Sequence, residues 1–351
     1  MTFEIKGFID CPLRDVFFDS LKEDYPGFEC WFDKKSKEGA VAYVADDGKS
    51  IQAFLYVKEY ECETIGILPA SPRMKIGTLK VCEDFGRRRI AEGAIGIALW
   101  KWQRSKLDEI YVTVLPKHDV TIKLLKTFGF VYGGKKGEEE VYFKNKNELD
   151  YTDPKKSFPF VNPNFSAGRY IPLEDGYHDQ MFQYSDLKNT LQVREDFPVS
   201  NGITKNFIAT PYSKLDYAVG DVAFIYRKHT GLGPKKYKSV ITSYCVITDI
   251  LTIKTAGNIL KSCDEFINAV GNKTVYNSDQ LKEIYTSSNV YVIEMVYNGY
   301  FGVGKNITFN DLEGAGLFNG HPYSIKIDRK NVFDILRMGG KNERDIIVNK
   351  P

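Results

Sequence analysis

The stretch Ile76-Gly77-Thr78-Leu79-Lys80-Val81-Cys82 leads through Gly86-Arg87-Arg88-Arg89-Ile90-Ala91-Glu92 into Gly93–Gln103, then Glu109–Leu115 and finally Thr121–Phe130. Its first seven residues read as a β-strand, Gly93–Gln103 as a helix and Glu109–Leu115 as a second strand. A strand that feeds a basic turn and a helix N-terminus suits an anion. The backbone N–H groups of a first helical turn lack intrahelical partners, and the helix dipole is positive at that end. Arg87, Arg88 and Arg89 add charge suited to phosphate.

Outward from this stretch, strands and helices alternate over Met1 to about Lys146. Phe3–Phe8 reads as an edge strand, and Pro12–Tyr25 carries Val16, Phe17 and Leu21 at helical spacing. Ala40–Ala45 and Ile51–Tyr60 are strand-like, joined by Asp46-Asp47-Gly48-Lys49, a hairpin turn. Val131–Lys144 completes the segment as a last strand or hairpin, interrupted at Gly133-Gly134. Between residues 147 and 168 the periodicity fades into Asp153-Pro154 and Asn162-Pro163-Asn164, so we expect a linker there.

Composition narrows the function classes. Hydrophobic residues make up 43% and charged residues 27%, the balance of a globular protein. A net charge of +2 leaves nucleic-acid contact to a local patch. No apolar run of membrane length occurs, and Met1-Thr2-Phe3-Glu4-Ile5-Lys6 lacks the pattern of a signal peptide, so a cytoplasmic protein without membrane contact is expected. The six cysteines form no C-x-x-C and do not cluster with the four histidines, so no metal site is expected.

The order and spacing of Ile76–Phe130 resemble the GNAT acetyltransferase family, whose cofactor is acetyl-CoA. In that family the strand before the turn splays from its neighbour and offers backbone amides to the thioester and pantetheine, positions that fall here on Leu79, Lys80 and Val81. The family's turn reads Arg or Gln, two residues, Gly, one residue, then Gly or Ala. One register places Gly86, Arg89 and Ala91 at those points, of which Ala91 alone fits; another begins at Arg88, with Ala91 and Gly93 following. The resemblance thus implies cofactor contacts from Leu79, Lys80, Val81, Arg87, Arg88, Arg89, Ile90, Ala91, Glu92, Gly93 and His118. Gly129-Phe130 matches the family's ending. His118 falls where the family often has Asn, and Leu125 where it has the Tyr that protonates the departing thiolate. Leu cannot donate a proton. His118 is therefore a candidate for proton transfer near neutrality, set against the plainer reading of a surface residue beside a helix start.

Glu59, Glu61 and Glu63 alternate with Tyr60, Cys62 and Thr64, which predicts one acidic strand face. A carboxylate near the splayed strands often deprotonates the amine in the family. Glu59 and Glu61 are therefore catalytic candidates, against the plainer reading of a solvent-facing edge. The mechanism implied is direct attack of the amine on the thioester, with backbone N–H groups steadying the oxyanion and no covalent enzyme intermediate.

The second segment, about Arg169–Pro351, is mostly β. Strands are predicted at 202–210, 222–227, 239–251, 290–297 and 321–327, and short helices at 256–270 and 278–285. Asp216–Arg227, the basic loop Lys228–Lys238 and Ser239–Val246 resemble a PUA-like barrel of the ASCH or EVE type, which opens a strand with a Gly-Asp turn and often binds RNA. Arg227, Lys228, Lys235, Lys236, Lys238 and Tyr244, with Tyr226 and Tyr237, would then form a phosphate-and-stacking surface. The plainer reading is a solvated hairpin loop with core tyrosines.

The expected fold is α/β (α+β): a GNAT-like mixed central sheet with flanking helices, followed by a mostly β PUA-like barrel. The expected activity is acetyl-CoA-dependent acetylation of a primary amine, the second domain presenting RNA or an RNA-bound acceptor. The rivals are a protein or small-molecule amine acceptor with a scaffold barrel, and a non-catalytic acyl-CoA or RNA-binding module. A homodimer, common in the family, is the candidate assembly.

Overall fold

The computed structural model describes residues 3–82, 89–188, 190, 192 and 198–348. The chain divides into two units, Met1–Glu148 and Leu149–Pro351.

Unit 1 is built on one sheet. Its strands are β1 (Glu4–Gly7), β2 (Val41–Asp46), β3 (Ile51–Ile65), β4 (Leu68–Val81), β5 (Glu109–Val114), β6 (Val131–Lys136) and β7 (Glu139–Asn145). Their order is β1-β2-β3-β4-β5-β7-β6, antiparallel except for β4 and β5, which run parallel. The helices are α1 (Asp19–Asp24), α2 (Phe28–Lys37), α3 (Ile90–Arg104) and α4 (Asp119–Thr127). A parallel neighbour requires a crossover, and α3 supplies it between β4 and β5. The mixed sheet with flanking helices expected from the resemblance is present.

Local chemistry fixes these elements. The β2–β3 turn closes because Asp46 accepts from Gly48 N at 3.0 Å, and Asp47 from Lys49 N and Ser50 N at 2.9 and 3.0 Å. Adjacent residues of β3 then face opposite ways. Phe54 enters an aromatic cluster with Phe8, Phe18 and Phe32 under α1 and α2, while Ala53 packs with Ile90 of α3. Truncating Phe54, fully buried, to Ala would cost roughly 3–5 kcal/mol. Helix α2 has no counterpart in the sequence reading, although Phe28, Trp31 and Phe32 stand at helical spacing. Gly133-Gly134 is a bulge in β6 rather than a break. Gly133 O accepts from Ile67 N at 2.9 Å, and a side chain on Gly66 would collide with that carbonyl.

Unit 2 has a second, curled sheet. Its strands are β8 (Gly168–Glu174), β9 (Thr204–Ala209), β10 (Val222–Lys228), β11 (Val240–Thr255), β12 (Asn258–Ile259), β13 (Val290–Tyr300) and β14 (Ile307–Thr308). The main path is β8-β10-β11-β13-β9, with β12 and β14 paired to β11. The expected mostly β domain is present as a curled, half-barrel sheet: β8 and β9 are the ends of the path, and no pairing joins them among the described residues. The PUA-like resemblance accordingly finds no support beyond the curl and the Gly-Asp turn. In that turn buried Asp221 accepts from Ser166 Oγ at 2.7 Å and Arg169 Nε at 3.0 Å.

Residues 149–168 pack within this unit, burying Phe158, Phe160 and Val161, and β8 starts at Gly168. The helices Cys263–Val270 and Ser278–Tyr285 begin at capping boxes, Ser262 with Glu265 and Asn277 with Gln280. Residues 321–327 make a short 3-10 turn and one bridge, Ile327 to Gly168, in place of the predicted strand.

Candidate active site where two strands part

Strands β4 and β5 pair over four positions, from Arg73↔Glu109 to Ile76↔Val112, and then separate. The cause lies one residue further on. Tyr56 of β3 pairs with Thr78 and Val57 with Ile76, so Gly77 is an extra residue, a bulge in β4. A bulge bends its strand, and past it Leu79, Lys80 and Val81 pair with Leu55, Phe54 and Ala53 on the β3 side alone. The other edge of β4 therefore has no β5 pair past Ile76 among the described residues and faces the gap.

Three structures surround this gap. Helix α3 is preceded by Arg89, its N-cap, whose φ of 60° is left-handed and whose carbonyl accepts from Gly93 N at 3.2 Å. Helix α1 spans the open end. Lys80 at the end of β4 donates to Phe17 O and to Ser20 Oγ, while Asp24 at the far end of α1 accepts from Lys117 and lies 3.2 Å from His118 Nε2. Lys117 and His118 follow β5, so α1 ties the tips of the two diverging strands together. The third is a cavity of about 260 Å³ between α2 and β3–β4, lined by Gly77, Tyr56, Trp31, Glu61 and four lysines: Lys34, Lys35, Lys58 and Lys75.

Glu61 is poised in that wall. Its Oε2 accepts from Tyr111 OH at 2.9 Å, its Oε1 from Lys58 at 3.1 Å, and Lys75 lies 3.8 Å away. Burial would raise its carboxyl, but Lys75, Lys58 and the Tyr111 hydroxyl outweigh burial and hold it below the ordinary carboxylate range. Glu63 shares the Tyr111 hydroxyl at 3.1 Å and is lowered mainly by Lys136, 2.8 Å away. Tyr111 itself is pushed up by burial and then by the two carboxylates, so it stays a donor. Asp24 is held low chiefly by Lys117.

Set against the sequence expectations, the site gathers some residues and disperses others. Glu61 lines the cavity, and His118 stands just after β5 at the start of α4. Glu59 does not join Glu61: a second bulge between Lys58 and Glu61 breaks the alternation, and Glu59 is exposed, paired with Lys101 of α3 at 2.7 Å. The single acidic face is thus divided. Lys80 is turned toward α1, and its backbone alone lies along the gap. Arg89 is buried, its Nη2 and Nε 2.6 and 3.0 Å from Glu92 Oε2, so its guanidinium is engaged by a carboxylate of the helix it precedes. Arg87 and Arg88 lie outside the described residues. Ile90 is buried in the α3 interface and Leu125 in the core. The sequence reading did not reach Asp24, Tyr111 or the α2 lysines, and Gly77, an isolated glycine within a strand pattern, was the available signal for the bulge.

In unit 2 the expected RNA surface is taken apart. Arg227 is buried and its Nε and Nη2 each lie 2.8 Å from an oxygen of Asp179, which also contacts His178 Nδ1 and Gln192. Tyr244 is buried against Phe301, and Tyr226 against Phe318. Buried side chains cannot stack on bases, so neither belongs to such a surface. Lys228, Lys235, Lys236 and Lys238 are exposed; Lys236 pairs with Glu313 at 2.8 Å and Lys238 donates to Leu232 O at 2.9 Å.

No cluster of three or more metal-ligating side chains occurs among the described residues, and no helix among them is long and apolar enough to cross a membrane. No protein-family model matches the chain, and no curated protein does. Several solved structures are similar to the N-terminal part of the chain. Three of them are the PaiA N-acetyltransferase of Thermoplasma acidophilum with coenzyme A (15% identity, 41% of this chain and 99% of that one, TM-score 0.31), NAA60 of Arabidopsis thaliana with a bisubstrate analogue (18%, 41% and 98%, 0.31), and Ard1 of Thermoplasma volcanium (15%, 41% and 98%, 0.30).

Proposed function

We propose that unit 1 is an acetyl-CoA-dependent N-acetyltransferase. The observation that carries this reading is the parting of β4 from β5 at the Gly77 bulge, beside the start of α3. Backbone amides on the β4 edge past the last β5 pair can donate to the pantetheine and polarise the thioester carbonyl, and preorganised donors of this kind stabilise a developing oxyanion. The first-turn amides of α3 suit the pyrophosphate, with Arg87 and Arg88 of the preceding turn as the candidate phosphate partners.

The chain's own residues then divide the proton work. Glu61, ionised and lining the cavity, takes the proton of the acceptor ammonium directly or through water. The neutral amine attacks the thioester carbon, a C–N bond forms, the nitrogen sheds its second proton to water, and the C–S bond breaks to give thiolate. His118, oriented by Asp24 at the tip of β5, hands a proton to the sulfur, the task for which Leu125 is unfit. Holding both substrates in one gap supplies the remaining advantage.

The test is calorimetric titration of acetyl-CoA into the full chain, followed by release of free CoA thiol when amines are supplied. Saturable binding, weakened by Arg87→Ala with Arg88→Ala, and amine-dependent thiol release are expected. Failure of the intact protein to bind acetyl-CoA would overturn the reading.

A further inference from the structure

The cavity beside the bulge is strongly biased in charge. Among the described residues, four lysines line it beside a single carboxylate, Glu61, while Glu38 pairs with Lys35 from outside the lining and Glu63 and Glu139 act on Lys75 from further off. Glu61 and Glu38 are each already divided. Glu61 serves Lys58, Lys75 and Tyr111, and Glu38 lies 2.5 Å from Lys35 and 4.0 Å from Lys34. Lysines thus outnumber carboxylates in the lining of a concave site whose walls include Trp31 and Tyr56, rings 5.8 Å apart and steeply inclined. Lys75 is the most telling member. Its side chain is 19% exposed, its ammonium sits 5.5 Å over the Tyr111 ring, and burial lowers its pKa against the pull of Glu61. A lysine drawn that far out of water, its nearest carboxylate 3.8 Å away and shared with Lys58 and Tyr111, marks a place where an anion would be stabilised, because charge pairs strengthen as solvent is excluded.

We infer that the acceptor amine of this site belongs to a molecule carrying an anionic group, a carboxylate or phosphate, which seats among Lys34, Lys35, Lys58 and Lys75. This rests on the proposed acetyl transfer and names its substrate class. The arrangement places the anion in the cavity and leaves the amine toward Gly77, where β4 and β5 part. Charge of this kind chooses among acceptors through encounter and orientation. An amine attached to a basic residue would meet like charge and be rejected.

The experiment uses the full chain with acetyl-CoA and matched acceptors. The peptide arm compares free-amine peptides with Glu, Gln or Lys at the second position, and the small-molecule arm compares free glutamate with its diamide. Each acceptor is also titrated by calorimetry in the absence of acetyl-CoA. The expected result is a kcat/KM for the acidic member about tenfold above the neutral one in one arm, which identifies the source, and lower still for the basic one. In Lys34→Gln with Lys35→Gln, and separately in Lys75→Met, the acidic-to-neutral ratio should fall toward one. Lys123→Gln, on an exposed face of α4 and paired with Asp119, should keep the ratio. Equal rates for acidic, neutral and basic members in both arms would overturn the inference and leave acetyl transfer standing. Lysine-dependent binding of acidic acceptors without turnover would keep the anion site and overturn acetyl transfer. Neither binding nor turnover would overturn both.

Discussion

A Cβ on Gly77 would stand 2.7 Å from Cδ1 of Tyr56, closer than side-chain atoms approach in practice. The ring of Tyr56 lies against the bare backbone at the one place where β4 carries an extra residue. Gly77 is thus required by close approach, and the opening of the sheet depends on it. Gly77→Ala must shift the ring or the bulge, an overpacking change that costs roughly 1–3 kcal/mol. All three tryptophans, Trp31, Trp100 and Trp102, belong to unit 1, so tryptophan fluorescence follows its unfolding selectively. We expect an earlier transition by that probe and weaker acetyl-CoA binding. Unchanged affinity in a folded Gly77→Ala protein would detach the bulge from the cofactor site.

His118 is held by a carboxylate that is itself fixed by Lys117. If it returns the proton to the thiolate, His118→Ala should lower kcat by about a hundredfold or more with little change in acetyl-CoA affinity. Asp24→Asn should lower kcat less, since it loosens the ring without removing it. Steady-state kinetics beside calorimetric binding separates the two effects. An equal loss of affinity and kcat would make His118 a cofactor contact instead.

Tyr111→Phe removes the hydroxyl shared by Glu61 and Glu63 while keeping the ring under Lys75. A carboxylate that loses a donor to its charged form titrates higher. The acid limb of the kcat/KM profile should therefore move upward in pH if Glu61 is the base. A limb that stays in place would exclude Glu61 from the proton path.

The contrast between what was and was not legible in the sequence has physical causes. Ile76–Phe130 could be read because strand, helix and strand there follow one another in local patterns, each set by its own periodicity. The Asp46–Lys49 turn carries its own hydrogen bonds and needs no tertiary context. The division of Glu59 from Glu61 could not be read, because a bulge of one residue inverts the alternation without altering composition. Asp24 is far from His118 in sequence, and only the docking of α1 across the strand tips joins them. Arg227 and Tyr244 misled because a basic residue next to tyrosines reads the same on a surface as in a core. The deciding partner, Asp179, lies 48 residues away.

That pair allows a sharp test in unit 2. Burial would raise the Asp179 carboxyl, but the hydrogen bonds from Arg227 and His178 outweigh it and keep it ionised. Arg227→Leu leaves a buried carboxylate without its main partner, a change that typically costs about 3–5 kcal/mol. Lys235→Ala, on an exposed residue, should stay within about 0.5 kcal/mol of the parent. Circular dichroism during urea unfolding distinguishes them. An Arg227→Leu protein as stable as the parent would return Arg227 to the surface.

Glu294 supplies the pH dependence. It accepts from Thr248 Oγ1 at 2.9 Å and pairs with Lys155 at 2.5 Å and with Lys273. Burial would raise its carboxyl, yet Lys155 and Lys273 outweigh that and push it down to about 2. An unfolded glutamate titrates near 4.3, so the unfolded chain takes up this proton first as pH falls. The stabilisation is therefore complete above about pH 5 and is lost between there and about pH 2; it amounts to on the order of 3 kcal/mol. Glu294→Gln should be less stable than the parent at pH 7 by that order and should lose less on going to pH 3. Urea midpoints at the two pH values, read by circular dichroism, provide the comparison. Parallel losses in parent and variant would mean that the two lysines contribute no net stabilisation through Glu294.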